Sequence, residues 1–337
     1  MIRYITSDPG GFNVIYPLIQ KSIENKDNFK IYATGIAKLK FEQYNIDYID
    51  CDFILNFNEY FNKEFNYGDI IVASTSATIL FEKKAIEIAN KKNLISYVIL
   101  DQWLNYEMRF LDITVDNIVE LDKEKKKGYK YLPTFILTMD DISKKDLIKI
   151  GIPKNKIKVV GSIHLNNFVN NFIKLDIKNN KETILYVTEP ILTTYGDSSY
   201  FGYDEISILE SILKVCKNDY NIIIRKHPKD QTDYSKYNLE ISDKDINYDL
   251  SRADIVIGMS SMFLIEALSI GKKVISLQIG LKIENPFIFS RLGIIKTILS
   301  EEELKEELKN INFCILDEKL YKNAINKAYA EIKMVGE

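Results

Sequence analysis

The chain has 337 residues, 46% of them hydrophobic and 28% charged, with a formal net charge of −3. That length predicts two α/β domains, because a single core stops growing near roughly 250–300 residues. Basic and acidic residues are interspersed, so no chain-wide field favours nucleic acid, and no apolar run reaches the roughly 18 residues of a membrane span.

In chain order, Ile2–Thr6 reads as a strand and Ser7–Gly11 as a turn. Val14, Ile15, Leu18, Ile19 and Ile23 then mark one face of a helix at 3–4 spacing. Met1 leads straight into that strand without the regions of a secretory signal, so the expected location is the cytoplasm. Further strands are expected at Lys30–Thr34, Asp69–Ala73, Tyr97–Leu100, Thr134–Thr138 and Ile157–Ser162, with a helix at Thr78–Lys91. The Asn- and Lys-rich stretch Leu165–Asn180 suits a connector. Beyond it strands are expected at Thr183–Val187, Asn221–Arg225, Ile255–Gly258 and Lys273–Leu277, and helices at Asp204–Lys217, Ser261–Ser269 and Glu301–Asn310. A mostly polar helical segment, Glu318–Lys333, could cap either half. The expected organisation is an N-terminal domain 1–162, a connector 163–180, a C-terminal domain 181–317 and a C-terminal helix 318–337. Strands alternating with helices predict two Rossmann-like domains whose parallel sheets face a central cleft.

Cys51, Cys216 and Cys314 are scattered and suit reduced thiols, and His164 and His227 are the only histidines, so no zinc site and no metal are expected. Asp50-Cys51-Asp52 and Asp243-Lys244-Asp245 match an Asp-x-Asp spacing, but the pattern is short and reads as solvated surface.

Ligands of open parallel sheets bind beyond the carboxyl ends of strands, so the turns there are the candidate sites. In Ile222–Pro228 an apolar strand is followed by Arg225, Lys226 and His227, cationic and imidazole donors suited to phosphate, with Pro228 holding His227 extended. In Ala253–Leu268 a strand runs into a helix opened by Ser260 and Ser261, either a cap or an anion site. Glu266 on that helix could accept from a ribose or face water. Gly10 and Gly11 either admit a ligand close to the backbone or serve ordinary strand-to-helix geometry. The loop Leu100–Phe110, with Asp101, Trp103 and Arg109, suits either sugar recognition or interdomain packing. Thr75-Ser76-Ala77 reads either as cleft lining or as a helix cap.

The segments "IIIRKHP" and "ADIVIGMSSMFLIEALSIGKKVIS" resemble GT-B glycosyltransferases of bacterial capsule, lipopolysaccharide and surface-glycan assembly, over about residues 155–280. In bacterial sialyltransferases a His-Pro motif and a Ser-rich motif bind the donor phosphate; His227-Pro228 and Ser260-Ser261 are the matching positions. The acidic triplet ending in Gly that carries the base of those enzymes has no counterpart here. Similar elements occur in UDP-sugar epimerases and in glycerol-phosphate polymerases of teichoic acid synthesis.

The resemblance implies transfer of a sugar from a CMP- or UDP-linked donor, bound as substrate with no separate cofactor, to a glycan or lipid-linked acceptor. Any contact with the inner membrane face would be peripheral. His227, Pro228, Arg225, Ser260, Ser261, Glu266, Gly10 and Gly11 are expected at the donor, and Asp101 or Asp8 as the base that deprotonates the acceptor. A UDP-sugar 2-epimerase and a non-catalytic nucleotide-sugar-binding subunit are the rival readings.

Overall fold

The structure, a computed structural model of the chain, describes residues 1–216, 218–310 and 314–334. Lys217, which ends an expected helix, and residues 311–313 and 335–337 of the expected C-terminal segments lie outside the described residues. The chain forms two compact units, one made of residues 1–167 and 319–337, the other of residues 168–318.

The first unit contains strands β1 (Ile2–Thr6), β2 (Phe29–Ala33), β3 (Ile49–Asp50), β4 (Ile70–Ala73), β5 (Ile95–Ile99), β6 (Phe135–Thr138) and β7 (Ile157–Val159). They form one sheet in the order β3-β2-β1-β4-β5-β6-β7, and every pairing is parallel. β1 and β4 are buried throughout, as strands covered by helices on both faces must be. The core is built from Tyr4, Val72, Tyr97 and Ile99 of the strands and from Val14, Ile15, Leu18 and Ile19 of the Pro9–Glu24 helix. The C-terminal helix Ala324–Met334 belongs here: Ala324, Ile325, Ala328 and Ile332 join this core, and the Tyr97 hydroxyl donates to the Glu331 carbonyl at 2.6 Å.

The second unit contains β8 (Thr183–Val187), β9 (Asn221–Arg225), β10 (Glu240–Ile241), β11 (Ile255–Gly258), β12 (Lys273–Leu277) and β13 (Thr297–Ile298). Its parallel sheet has the order β10-β9-β8-β11-β12-β13. Both sheets are therefore doubly wound, reversing direction between β1 and β4 in the first unit and between β8 and β11 in the second. A crevice opens at such a reversal because the flanking connections leave toward opposite faces.

Two expectations change. The segment 163–180 does not begin as a connector: Ile163–Asn171 is a helix, held to the first unit where Asn166 Oδ1 accepts from the Ile325 amide at 3.1 Å. Its asparagines mislead because they lie among the buried Ile163 and Leu165. Gly10 and Gly11 lie inside the first turn of the Pro9–Glu24 helix, which Pro9 starts earlier than expected because its fixed φ suits that position.

Candidate functional site

The reversal of the second sheet collects three strand-end turns. Val187 at the end of β8 pairs with Arg225 of β9, and on the other side Tyr186 pairs with Ile257 of β11, which places Gly258 level with Val187. His227 and Ser260 each lie two residues past that level, in the turns after β9 and β11, strands that stand two spacings, about 10 Å, apart across β8. Glu189 lies two residues past Val187 on the strand between.

The dipeptide Thr188-Glu189 ties the two flanking turns together. Thr188 Oγ1 accepts from the His227 amide at 3.0 Å and donates to Asp230 Oδ2 at 2.6 Å. Asp230 is buried and also accepts from the Tyr234 hydroxyl at 2.8 Å, so the turn that carries His227 and Pro228 is braced from below. On the other side, Glu189 accepts from the amide of Ser260 and from Ser260 Oγ, the latter at 2.8 Å. Ser261 caps the Met262–Ser269 helix, its Oγ accepting from the Phe263 amide at 3.2 Å. Gly258 lets this helix approach its strand: a Cβ there would stand 3.1 Å from Leu264 and 3.2 Å from the Val187 carbonyl.

His227 is partly buried, and burial, with Lys229 nearby, pulls its pKa below the ordinary value. Its Nδ1 accepts from the Lys229 amide at 3.1 Å, so the neutral ring carries its proton on Nε2. That leaves a neutral N–H donor at the sheet edge. Burial pushes the Glu189 carboxyl up, against the lowering effect of its bonds to Ser260.

Arg225 does not share this edge as a phosphate contact would. Its guanidinium pairs with Asp249, donates to the Lys244 carbonyl at 2.9 Å and lies over the Phe263 ring, because a buried carboxylate on the neighbouring helix claims it. Ser260 is likewise committed to Glu189, whereas the Ser261 hydroxyl keeps a proton to donate. Glu266 is partly buried on the same helix.

The first unit has its own cluster at its reversal. Ser7 Oγ donates to Glu82 Oε1 at 2.6 Å and Ser74 Oγ to the same oxygen at 3.2 Å. Glu82 Oε2 is buried without a partner. Burial, with the negative Asp8 close by, pushes the Glu82 pKa up to about 7. Asp8 precedes the Pro9–Glu24 helix and accepts from Thr78 Oγ1 at 3.5 Å. Asp101 pairs with Arg109 at 2.8 Å and accepts from Thr75 Oγ1 at 3.1 Å. A Cβ on Gly10 would collide with the Asp101 carboxylate, and one on Gly11 with the Ser74 and Thr6 hydroxyls. The glycines thus make room for the protein's own polar side chains.

The aromatic loop after β5 turns inward. Trp103 is buried and donates from Nε1 to Asp140 at 2.7 Å, and Tyr106 and Phe110 are also buried, so these ring faces are not presented to a sugar. Asp50 and Asp52 both hold Lys38 Nζ, and among the described residues no cluster of three or more His, Cys, Asp or Glu side chains is arranged to hold a metal ion. Among the described residues no helix is long and apolar enough to cross a membrane.

Sequence reasoning passed over Thr188, Glu189 and Glu82. The first two stand directly after the strand Thr183–Val187, where the rule of strand-end turns applies to them as it does to His227. Glu82 falls three and four residues before Ala85 and Ile86, an acid on the apolar face of its helix, and that position was its signal.

Neither a protein-family model nor a curated protein sequence matches this chain. Solved structures do. UDP-GlcNAc 2-epimerase from Neisseria meningitidis, bound to UDP-GlcNAc, superposes with a TM-score of 0.70 at 13% identity, over 100% of each chain. UDP-GlcNAc 2-epimerase from Methanocaldococcus jannaschii matches with a TM-score of 0.66 at 16% identity, over 99% of this chain and 98% of the other. The glycosyltransferase SnogD from Streptomyces nogalater matches with a TM-score of 0.58 at 12% identity, over 100% and 99%. Likeness at such identities carries the fold, which is of the GT-B type, and leaves the chemistry to be argued from the residues.

Proposed function

We propose that this chain is an enzyme that binds a nucleotide-activated sugar by its phosphate at the β8/β11 reversal and transfers the sugar to an acceptor hydroxyl. The observation that carries the reading is the register that brings the His227 turn, Thr188-Glu189 and the Ser260-Ser261 helix start to one level of one sheet edge. As the bond from the anomeric carbon to the phosphate oxygen breaks, its electron pair leaves with the nucleotide. The Nε2–H of His227, the Ser261 hydroxyl and the positive end of the Met262–Ser269 helix would stabilise that charge. A new bond forms from the acceptor oxygen to the anomeric carbon, and the acceptor's proton passes to a carboxylate, Asp101 or Asp8. Glu266 is the candidate ribose contact. The acceptor class is a glycan or lipid-linked glycan of surface polysaccharide, with the chain in the cytoplasm and at most peripherally on the inner membrane face.

A uridine donor is preferred to a cytidine one because the Neisseria epimerase of the same fold is described as bound to UDP-GlcNAc. The end-to-end match to that epimerase also favours a second reading, 2-epimerisation of a UDP-sugar. The test is a thermal-stability panel of UDP-, CMP-, GDP- and CDP-linked compounds, followed by incubation of the best ligand with and without acceptor. Transfer to an acceptor supports the first reading, and a C2 isomer formed without acceptor supports the second. Stabilisation without turnover leaves a binding subunit, and no stabilisation by any compound refutes the nucleotide-sugar reading.

A further inference from the structure

The Ser260 cradle is filled by the protein itself. The donors that Glu189 takes are the Ser260 hydroxyl and amide, joined by the amides of Met259 and Ser261. A hydroxyl and successive backbone N–H groups at a helix start are what a phosphoryl oxygen would use. The register also places Glu189 on the strand between the turns of His227 and Ser260, and a phosphate held by the Ser260 donors would stand where the carboxylate stands. Two anions cannot share one set of donors in a partly buried place, because their repulsion is little screened there.

The backbone around Glu189 is pinned on both sides. The Thr188 amide donates to the Arg225 carbonyl at 3.0 Å and its hydroxyl is held by the His227 amide and Asp230, and the amides of Ile191 and Leu192 donate to Glu205 at 3.1 Å each. Freedom to move therefore resides in the side-chain torsions of Glu189.

We propose that Glu189 is a tethered anion that occupies the phosphate cradle of the second unit and must rotate out of it for a phosphate to bind, so that it sets the affinity and selectivity of the site. This rests on the reading of that edge as the donor-phosphate site. A ligand must bring enough contacts elsewhere to displace the carboxylate. A nucleoside diphosphate group does, and a small inorganic anion does not.

The test is calorimetric titration of pyrophosphate and of UDP into the full-length chain, wild type, Glu189→Gln and Glu189→Ala. The amide keeps the shape and an acceptor for Ser260 while removing the charge, and the alanine empties the position; circular dichroism checks that both fold. The expected result is at least about tenfold tighter binding of pyrophosphate by both variants, with a smaller gain for UDP. Equal or weaker binding of both probes by both variants overturns the proposal, and if wild type still binds UDP the nucleotide-sugar reading survives that loss. A gain for pyrophosphate with no nucleotide bound by any of the three proteins supports the displaceable carboxylate and removes the nucleotide-sugar reading instead.

Discussion

Replacing Glu82 with Gln should remove a pH-dependent weakness from the first unit. Oε1 of Glu82 accepts from Ser7 and Ser74, and Gln keeps that acceptor; Oε2 is buried without a partner, so its replacement by an amide nitrogen breaks no bond. The carboxyl rises from its ordinary 4.5 to about 7 in the folded chain, chiefly through burial. A raised carboxyl means that the folded state holds a proton the unfolded state has lost. Stability from this group is therefore fully present below about pH 4.5, declines as the pH climbs, and is lost once it passes about 7. The interval from 4.5 to about 7, at about 1.4 kcal/mol per pH unit, corresponds to about 3 kcal/mol. Trp103 is the only tryptophan and lies buried in the same unit, so its fluorescence follows the unfolding of the part that contains Glu82. Urea titrations of both proteins at several pH values would give the difference in stability at each. Any constant cost of the buried amide cancels in the slope. The advantage of Glu82→Gln should grow by about 3 kcal/mol between about pH 4.5 and pH 8, and a difference that does not change with pH would refute the assignment of a buried, proton-holding carboxyl.

Under the proposed transfer reaction, His227→Ala should lower kcat by about 10²–10³-fold, the usual cost of losing one donor to a developing anion, with the melting temperature little changed. Steady-state kinetics at saturating donor would check it, and unchanged kcat would take the imidazole out of the mechanism. Asp101→Asn should lower kcat by about 10²–10⁴-fold and Asp8→Asn much less if Asp101 is the base. The reverse order would transfer the role to Asp8.

The second sheet illustrates what local pattern can determine. Thr183–Val187, Asn221–Arg225, Ile255–Gly258 and Lys273–Leu277 are apolar runs bounded by polar turns, and each is a strand over those same residues. Strands covered on both faces write their burial into consecutive side chains. The two-residue strands at Ile49–Asp50, Glu240–Ile241 and Thr297–Ile298 carry no such record, since they become strands by pairing with a neighbour distant in sequence. The residue types that suit a phosphate site, an imidazole after one strand and hydroxyls before one helix, were legible for the same local reason.

Tertiary structure alone decided which polar groups meet. Arg225 reads as a phosphate ligand until Asp249, 24 positions on, is packed beside it. Ser260 reads as a free donor until β8 is inserted between β9 and β11 and Glu189 arrives from 71 positions away. Glu82 becomes a proton-holding acid only when the folded first unit buries its carboxyl, against the lowering effect of the bonds from Ser7 and Ser74. The C-terminal helix finds its place because Ala324, Ile325, Ala328 and Ile332 pack into the core of the first unit. Periodicity and turn chemistry act over a few neighbouring residues and so can be read directly; strand order and desolvation depend on partners tens or hundreds of residues apart, and only the folded chain brings them together.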